Sequence, residues 1–313
     1  MTELKASKLK RIIQIFFVSS VLIGIMLFVR LAVFSSTKGI SGKDTAILNP
    51  KYEDTVSEIL FKSAESDTGE IRLFKQDGFW LGRATIDNQE VVFPLNNAKI
   101  SEFLKALSSI RKVYHISDNV SLYKDYNLDS NAFAIEARDS SKAILLELFL
   151  GNLNYSASKI AFRTGKSTAI YETESDLAPY RHTEPESWAD MQLLPAEHAA
   201  FDETEVMACS IAAIPKVQEI RILKEFESFC HKLLTARGSV IQPGFANNQS
   251  AIFSRMVLIE TPQKIIRLFF IKNEADETYS VQSEVNGKLS EYSLEISSWT
   301  FNNLFEGLPK DIE

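Results

Sequence analysis

Glu70–Arg83, EIRLFKQDGFWLGR, decides the fold. Apolar and polar residues alternate on both sides of Asp77-Gly78. An Asp-Gly pair between alternating runs is a strong hairpin signal, because a tight turn of this kind needs positive φ at its centre. The stretch therefore reads as two antiparallel strands. Val56–Lys62 reads as a strand before it. After it, Asn97 caps a helix in which Ile100, Phe103, Leu104, Leu107 and Ile110 recur at the spacing of one buried face. Phe133–Arg138 and Ala143–Leu150 form a strand pair around Asp139-Ser140-Ser141. Lys159–Thr164 and Thr168–Glu172 form another, turning at Gly165-Lys166.

The second half repeats this order. Val217-Gln218-Glu219-Ile220 echoes Val56-Ser57-Glu58-Ile59, and Phe226, Phe229, Cys230, Leu233 and Ala236 stand 126 residues after the helix face. Lys264-Ile265-Ile266 and Gly287-Lys288 stand 122 residues after Lys142-Ala143-Ile144 and Gly165-Lys166. Matched order and matched turns point to internal duplication. The expected fold class is α+β: a single N-terminal transmembrane helix followed by two tandem antiparallel-sheet-plus-helix units. The boundaries read as a cytoplasmic tail at 1–11, anchor at 12–34, tether at 35–50, first unit at 51–176, connection at 177–204 and second unit at 205–313.

The anchor is Ile12–Phe34, which carries no charge as far as Val29. At about 1.5 Å per residue it spans about 30 Å, the thickness of a bilayer core. Lys5, Lys8, Lys10 and Arg11 crowd its N-terminal flank, which places that end in the cytoplasm and the bulk of the chain outside the cell (inner) membrane. A cleaved signal peptide is the rival reading. The apolar run is longer than a signal core and no small-x-small cleavage site follows closely. No cysteine lies near it, which excludes a lipoprotein anchor.

The chain has 34 Lys+Arg and 41 Asp+Glu; five of the former and one of the latter fall before residue 35, which leaves 29 against 40 outside. A surface so acidic repels phosphate backbones, so nucleic acid is not an expected partner. Cys209 and Cys230 are the two cysteines. In an oxidising compartment they can close a loop of about 20 residues, worth about 3 kcal/mol, or stay buried free thiols. Both readings stand at this stage.

The single anchor, Gly78-Phe79-Trp80-Leu81, Tyr126-Asn127-Leu128-Asp129, Leu150-Gly151, Tyr155, Phe162-Arg163, Tyr171, Trp188-Ala189-Asp190 and Leu193-Leu194-Pro195 follow one another in a distinctive order. In this the chain resembles the bacterial extracytoplasmic family of unknown function encoded beside gliding-motility-type ABC transporter permeases and auxiliary proteins. The resemblance covers about residues 55–195. Asn127 stands where that family has glycine, a tolerable exchange because Asn also accepts positive φ. The family has no established catalytic residues. The resemblance implies ABC permease subunits as partners.

Gly165-Lys166-Ser167-Thr168 ends like a phosphate-binding loop, but Ile160 occupies the place of its first glycine and strands flank it. It reads as a hairpin turn. His115, His182, His198 and His231 show no metal-binding pair spacing. His182 with Glu184, Glu186 and Asp190 is a local ligand cluster that reads as a solvated acidic connection. Tyr123, Tyr126, Tyr155, Tyr171 and Trp188 suit either a cleft or a β-rich core, and the core is favoured. No catalytic, cofactor or metal residue is named, and no cofactor is expected. The expected function is a non-enzymatic, membrane-anchored accessory or interaction protein of a transport or envelope assembly, of unknown oligomeric state. It would act through sheet edges, the connection 177–204 or the anchor. The alternative is an anchored envelope hydrolase or carbohydrate-binding protein whose site forms only in three dimensions.

Overall fold

The computed structural model describes residues 42–64, 69–165, 167–195, 201, 203–213, 221–222, 226–245, 253–273 and 275–306. The apolar stretch 12–34, most of the tether, Lys166, His198 and the strand start at Val217–Ile220 lie outside them. Among the described residues no helix is long and apolar enough to cross a membrane.

The hairpin forms as β3 (Glu70–Gln76) and β4 (Phe79–Ile86). Asp77 and Gly78 both take positive φ, 52° and 88°. This is the left-handed pair that a two-residue hairpin turn demands. Around them stand β1 (Lys43–Thr45), β2 (Val56–Lys62), β5 (Gln89–Pro94), β6 (Arg111–Ser117), β7 (Phe133–Asp139), β8 (Ile144–Leu153), β9 (Lys159–Thr164) and β10 (Ile170–Glu174). They form one ten-stranded sheet in the order β1-β6-β10-β9-β8-β7-β2-β3-β4-β5, antiparallel throughout. Helix α1 (Asn97–Ser108) lies between β5 and β6 in sequence and buries Ile100, Phe103, Leu104 and Leu107. Each such side chain contributes about 1.5–3 kcal/mol relative to leaving it in water. Two details differ from expectation. Asn96 is the cap, accepting the Lys99 N–H at 3.2 Å. The helix stops at Ser108, so Ile110 falls on an extended turn and is 74% exposed.

The second sheet contains β11 (Ala208–Ala213), β12 (Arg221–Ile222), β13 (Val240–Pro243), β14 (Arg255–Glu260), β15 (Ile265–Asn273), β16 (Thr278–Val285), β17 (Lys288–Leu289) and β18 (Tyr292–Ile296). Its order is β12-β11-β14-β15-β16-β18-β13, with β17 attached to β16. Helices α2 (Glu227–Thr235) and α3 (Ser298–Phe305) pack together through Phe229 and Phe305, whose ring centroids lie 5.8 Å apart. The path β6-β10-β9-β8-β7-β2-β3 of the first sheet and β13-β18-β16-β15-β14-β11-β12 of the second run through the chain in the same order.

These findings correct the expected α+β class of two tandem antiparallel-sheet-plus-helix units, while the expected N-terminal transmembrane helix falls outside the described residues. The described chain is mainly antiparallel sheet, 47% strand against 21% helix. The helices are short, and β1, β5 and β17, which the alternation does not predict, all enlarge the sheets. Nor are the sheets self-contained, because one hydrophobic core runs from Phe61 and Trp188 to Phe270 and Phe305.

The join is residues 185–195. Trp188 is fully buried, stacks on Phe61 at 4.6 Å, and donates its indole N–H to the His182 carbonyl at 2.8 Å. Backbone bonds lace this segment to both sheets. The Asp190 N–H donates to the Pro94 carbonyl at 3.0 Å on one side, and the Gly238 N–H to the Met191 carbonyl at 2.8 Å on the other. The Glu186 carboxylate accepts the Ile241 N–H at 3.0 Å.

Candidate functional site

Side chains of a strand alternate between faces. In β2, Ile59 and Phe61 enter the core, so Glu58 and Leu60 belong to the opposite face. Glu58 is nevertheless only 4% exposed. A carboxylate so covered needs partners. Its Oε1 lies 3.9 Å from Arg72 Nε, and its Oε2 accepts from the Lys142 ammonium.

Three irregularities build this arrangement. The β2–β7 register shifts between Val56 and Glu58, leaving Ser57 as an extra residue. The β7–β8 register shifts between Ala137 and Arg138. Bulges of this kind re-aim side chains. Between the two strands Lys142 holds φ 68°, a left-handed conformation that costs a non-glycine residue about 1 kcal/mol or more. Asp139 enforces it. Its Oδ1 accepts from the Ser141 N–H at 2.8 Å, the Ser141 hydroxyl at 2.6 Å and the Ala143 N–H at 3.0 Å. The Ser141 hydroxyl above all, with the Ala143 amide, holds the Asp139 carboxyl below its ordinary value.

The result is a hollow of about 320 Å³ lined by Ser57, Glu58, Arg72, Phe74, Lys75, Arg83, Ser140 and Lys142. The Arg83 guanidinium lies over the Phe74 ring at 5.1 Å and 3.6 Å from the Glu90 carboxylate, while its buried Nε donates to nothing. The Lys75 ammonium lies over Trp80 at 5.0 Å. Among the described residues the Ser57 and Ser140 hydroxyls have no hydrogen-bond partner. Alongside, Arg138 is paired with Glu136, whose hydrogen bond holds the guanidinium above its ordinary value. The hollow thus presents four cationic groups, Arg72, Lys75, Arg83 and Lys142, and two free hydroxyls around one satisfied carboxylate. Such a set can hold an oxyanion.

The residues singled out in the sequence are elsewhere. Trp188 finishes the core, and Tyr171 packs on Phe162 at 5.5 Å. Tyr123 and Tyr126 cover the outer face of β8–β9 beside Leu128, Phe149 and Ala161. Asn127 adopts φ 54° there, and Arg163 Nε donates to the Leu128 carbonyl at 3.0 Å. A Cβ on Gly151 would come within 2.1 Å of the Tyr126 carbonyl oxygen, so this glycine admits the loop. Tyr155 alone of the five projects fully into solvent. His182 Nδ1 lies 3.4 Å from Glu184. Glu186 is committed to Ile241, and Asp190 accepts the Gln192 N–H at 3.1 Å. Among the described residues no group of three or more His, Cys, Asp or Glu could hold a metal. Cys209 and Cys230 are buried and not in a disulfide. The hydrogen bond that the Cys209 thiol donates to Cys230, together with burial, pushes that thiol well above its ordinary value.

Sequence reasoning missed the cradle. Its one local signal was Glu58 directly before the apolar run Ile59-Leu60-Phe61, and nothing in the spacing linked it to Arg72, Arg83 or Lys142.

Residues 88–225 match the family described as Domain of unknown function (DUF4340). That span takes in Ser140 and Lys142 but begins after Glu58, Arg72 and Arg83. The chain is also similar to an uncharacterized protein of Treponema pallidum (strain Nichols), 21% identical over 189 residues, which covers 58% of this chain and 57% of that protein. The match thus spans a little over half of that relative. No solved structure matches.

Proposed function

We propose that the protein is an extracytoplasmic accessory of a membrane transport or envelope assembly, held at the cytoplasmic membrane by its apolar stretch 12–34. The outer face of β2–β5 and β7 is where it engages its partner. The observation that carries this reading is the cradle around Glu58, built by two bulges and a left-handed lysine whose side chain stays 64% exposed. A fold that needed only stability has cheaper ways to finish a sheet face. The connection 177–204 is less suited to contact, because Trp188, Leu193 and Leu194 are buried at the join. The ABC permease neighbourhood implied by the family resemblance makes permease subunits the first partners to seek.

The test is crosslinking of the full-length protein in its native membrane, followed by mass spectrometry of what is recovered. Integral membrane partners are the expected result. Recovery of the protein alone, at crosslinking levels that capture known membrane complexes, contradicts the proposal.

A further inference from the structure

We infer that the cradle receives the carboxylate of one acidic side chain projecting from a partner protein, an assignment that rests on the interaction reading above. Apart from Glu58, the polar side chains around the hollow are donors. A guanidinium has five N–H groups and an ammonium three, so Arg72 and Lys142 keep donors to spare after binding Glu58. Arg83 lies 3.6 Å from Glu90 through one Nη and, 38% exposed, keeps further terminal N–H groups for an acceptor. What the hollow lacks is an acceptor with negative charge, and a carboxylate or phosphate supplies it.

The surroundings choose between these. Glu90 and Glu136 flank the cradle, and the chain as a whole carries a net charge of -7. A continuous polyanion, such as a nucleic-acid strand or an anionic bilayer, gains the first contact and is then repelled by everything around it. A single acidic side chain is not. The side chains of Arg83, Arg72 and Lys142 remain 38%, 42% and 64% exposed, so the anion arrives as a projection from another surface rather than as an engulfed small molecule. Phe74, under Arg83, gives the methylenes of such a side chain an apolar wall.

The full chain in detergent micelles is titrated into a fluorescein-labelled peptide that carries one glutamate among neutral residues, and binding is followed by anisotropy. Arg83→Gln and Lys142→Gln are expected to weaken binding about tenfold each, the loss of one charge-assisted hydrogen bond. Lys264→Gln, on the matching turn of the second sheet, is expected to leave it unchanged. Arg83 does not touch Glu58, so Arg83→Gln keeps the buried pair intact and stays informative if changes at Arg72 or Lys142 disturb folding. Equal affinity of wild type and Arg83→Gln overturns the inference. So does displacement of the peptide by equimolar inorganic phosphate, which would make free phosphate the ligand. Failure here leaves crosslinked membrane partners in place, whereas failure of the interaction reading removes those partners and leaves peptide binding.

Discussion

The two sheets follow the same strand path and differ at the rung that matters. In the first, Ile59 faces Ala137 and the next rung sets Glu58 opposite Arg138. In the second, Cys209 faces Ile259 and the next rung sets Ala208 opposite Glu260. The following turn is held by Asp139 in one and by the Thr261 hydroxyl, which accepts the Lys264 N–H at 2.9 Å, in the other. The outer faces diverge accordingly. The first carries a cluster of ion pairs around Glu58, while the second sets the Arg267–Glu284 pair beside a buried neutral network in which Gln282 donates to the Ser290 carbonyl and accepts the Phe245 N–H at 3.1 Å. The strand path alone therefore does not produce a cationic cradle; the residues placed on it do.

The largest expected effect bears on what the sheets share. Trp188→Ala should cost about 3–5 kcal/mol in urea denaturation. Because one core spans both sheets, amide exchange should accelerate in β14 and β15 as well as in β2 and β7. Acceleration confined to the first sheet would show two independent units. Next, Gln282→Ala leaves a buried N–H and carbonyl unpaired and should cost about 1–3 kcal/mol, unchanged by salt. Glu58→Gln, in contrast, should cost about 1 kcal/mol, because Arg72 and Lys142 are partly exposed, and the cost should shrink at 1 M salt. Equal salt dependence in both variants would erase the distinction between the faces.

Titration offers a finer separation. The folded pKa of Asp139 is depressed, so its contribution is present above its ordinary value of 3.8 and is lost as pH falls below it. Acid should therefore loosen the β7–β8 turn first, and Asp139→Asn should abolish that pH dependence. In the second sheet the neutral forms are favoured: contact with Cys230 and burial raise the Cys209 thiol, and burial above all raises the Tyr292 hydroxyl. Their contribution is present below the ordinary values of 9.0 and 10.0 and is lost as pH rises above them. Alkaline unfolding followed by far-ultraviolet circular dichroism should shift upward in Cys209→Ala.

Local chemistry in the sequence carried much of the fold. Asp77-Gly78 placed the hairpin, and Ile100, Phe103, Leu104 and Leu107 placed the helix face, because both signals are written within a few residues. Ile110 misled because a 3.6-residue period continues on paper after the chain has turned at Ser109. The fold class was over-read toward helix because edge strands such as β1 and β17 are too short to show alternation. Of the cradle, only Glu58 left a local mark in the sequence. The rest depends on register shifts at Ser57 and Arg138, and on Glu58 and Lys142 meeting 84 residues apart, which no periodicity records.

The most direct test places a photo-crosslinking amino acid at Ser140, beside the cradle, and in a second protein at Gln263, on the corresponding turn of the other sheet. In native membranes position 140 should capture a partner and position 263 should not, with capture at 140 lost on Arg83→Gln. Equal capture at both positions, or capture at 140 that survives Arg83→Gln, would contradict the assignment of the partner surface to this face.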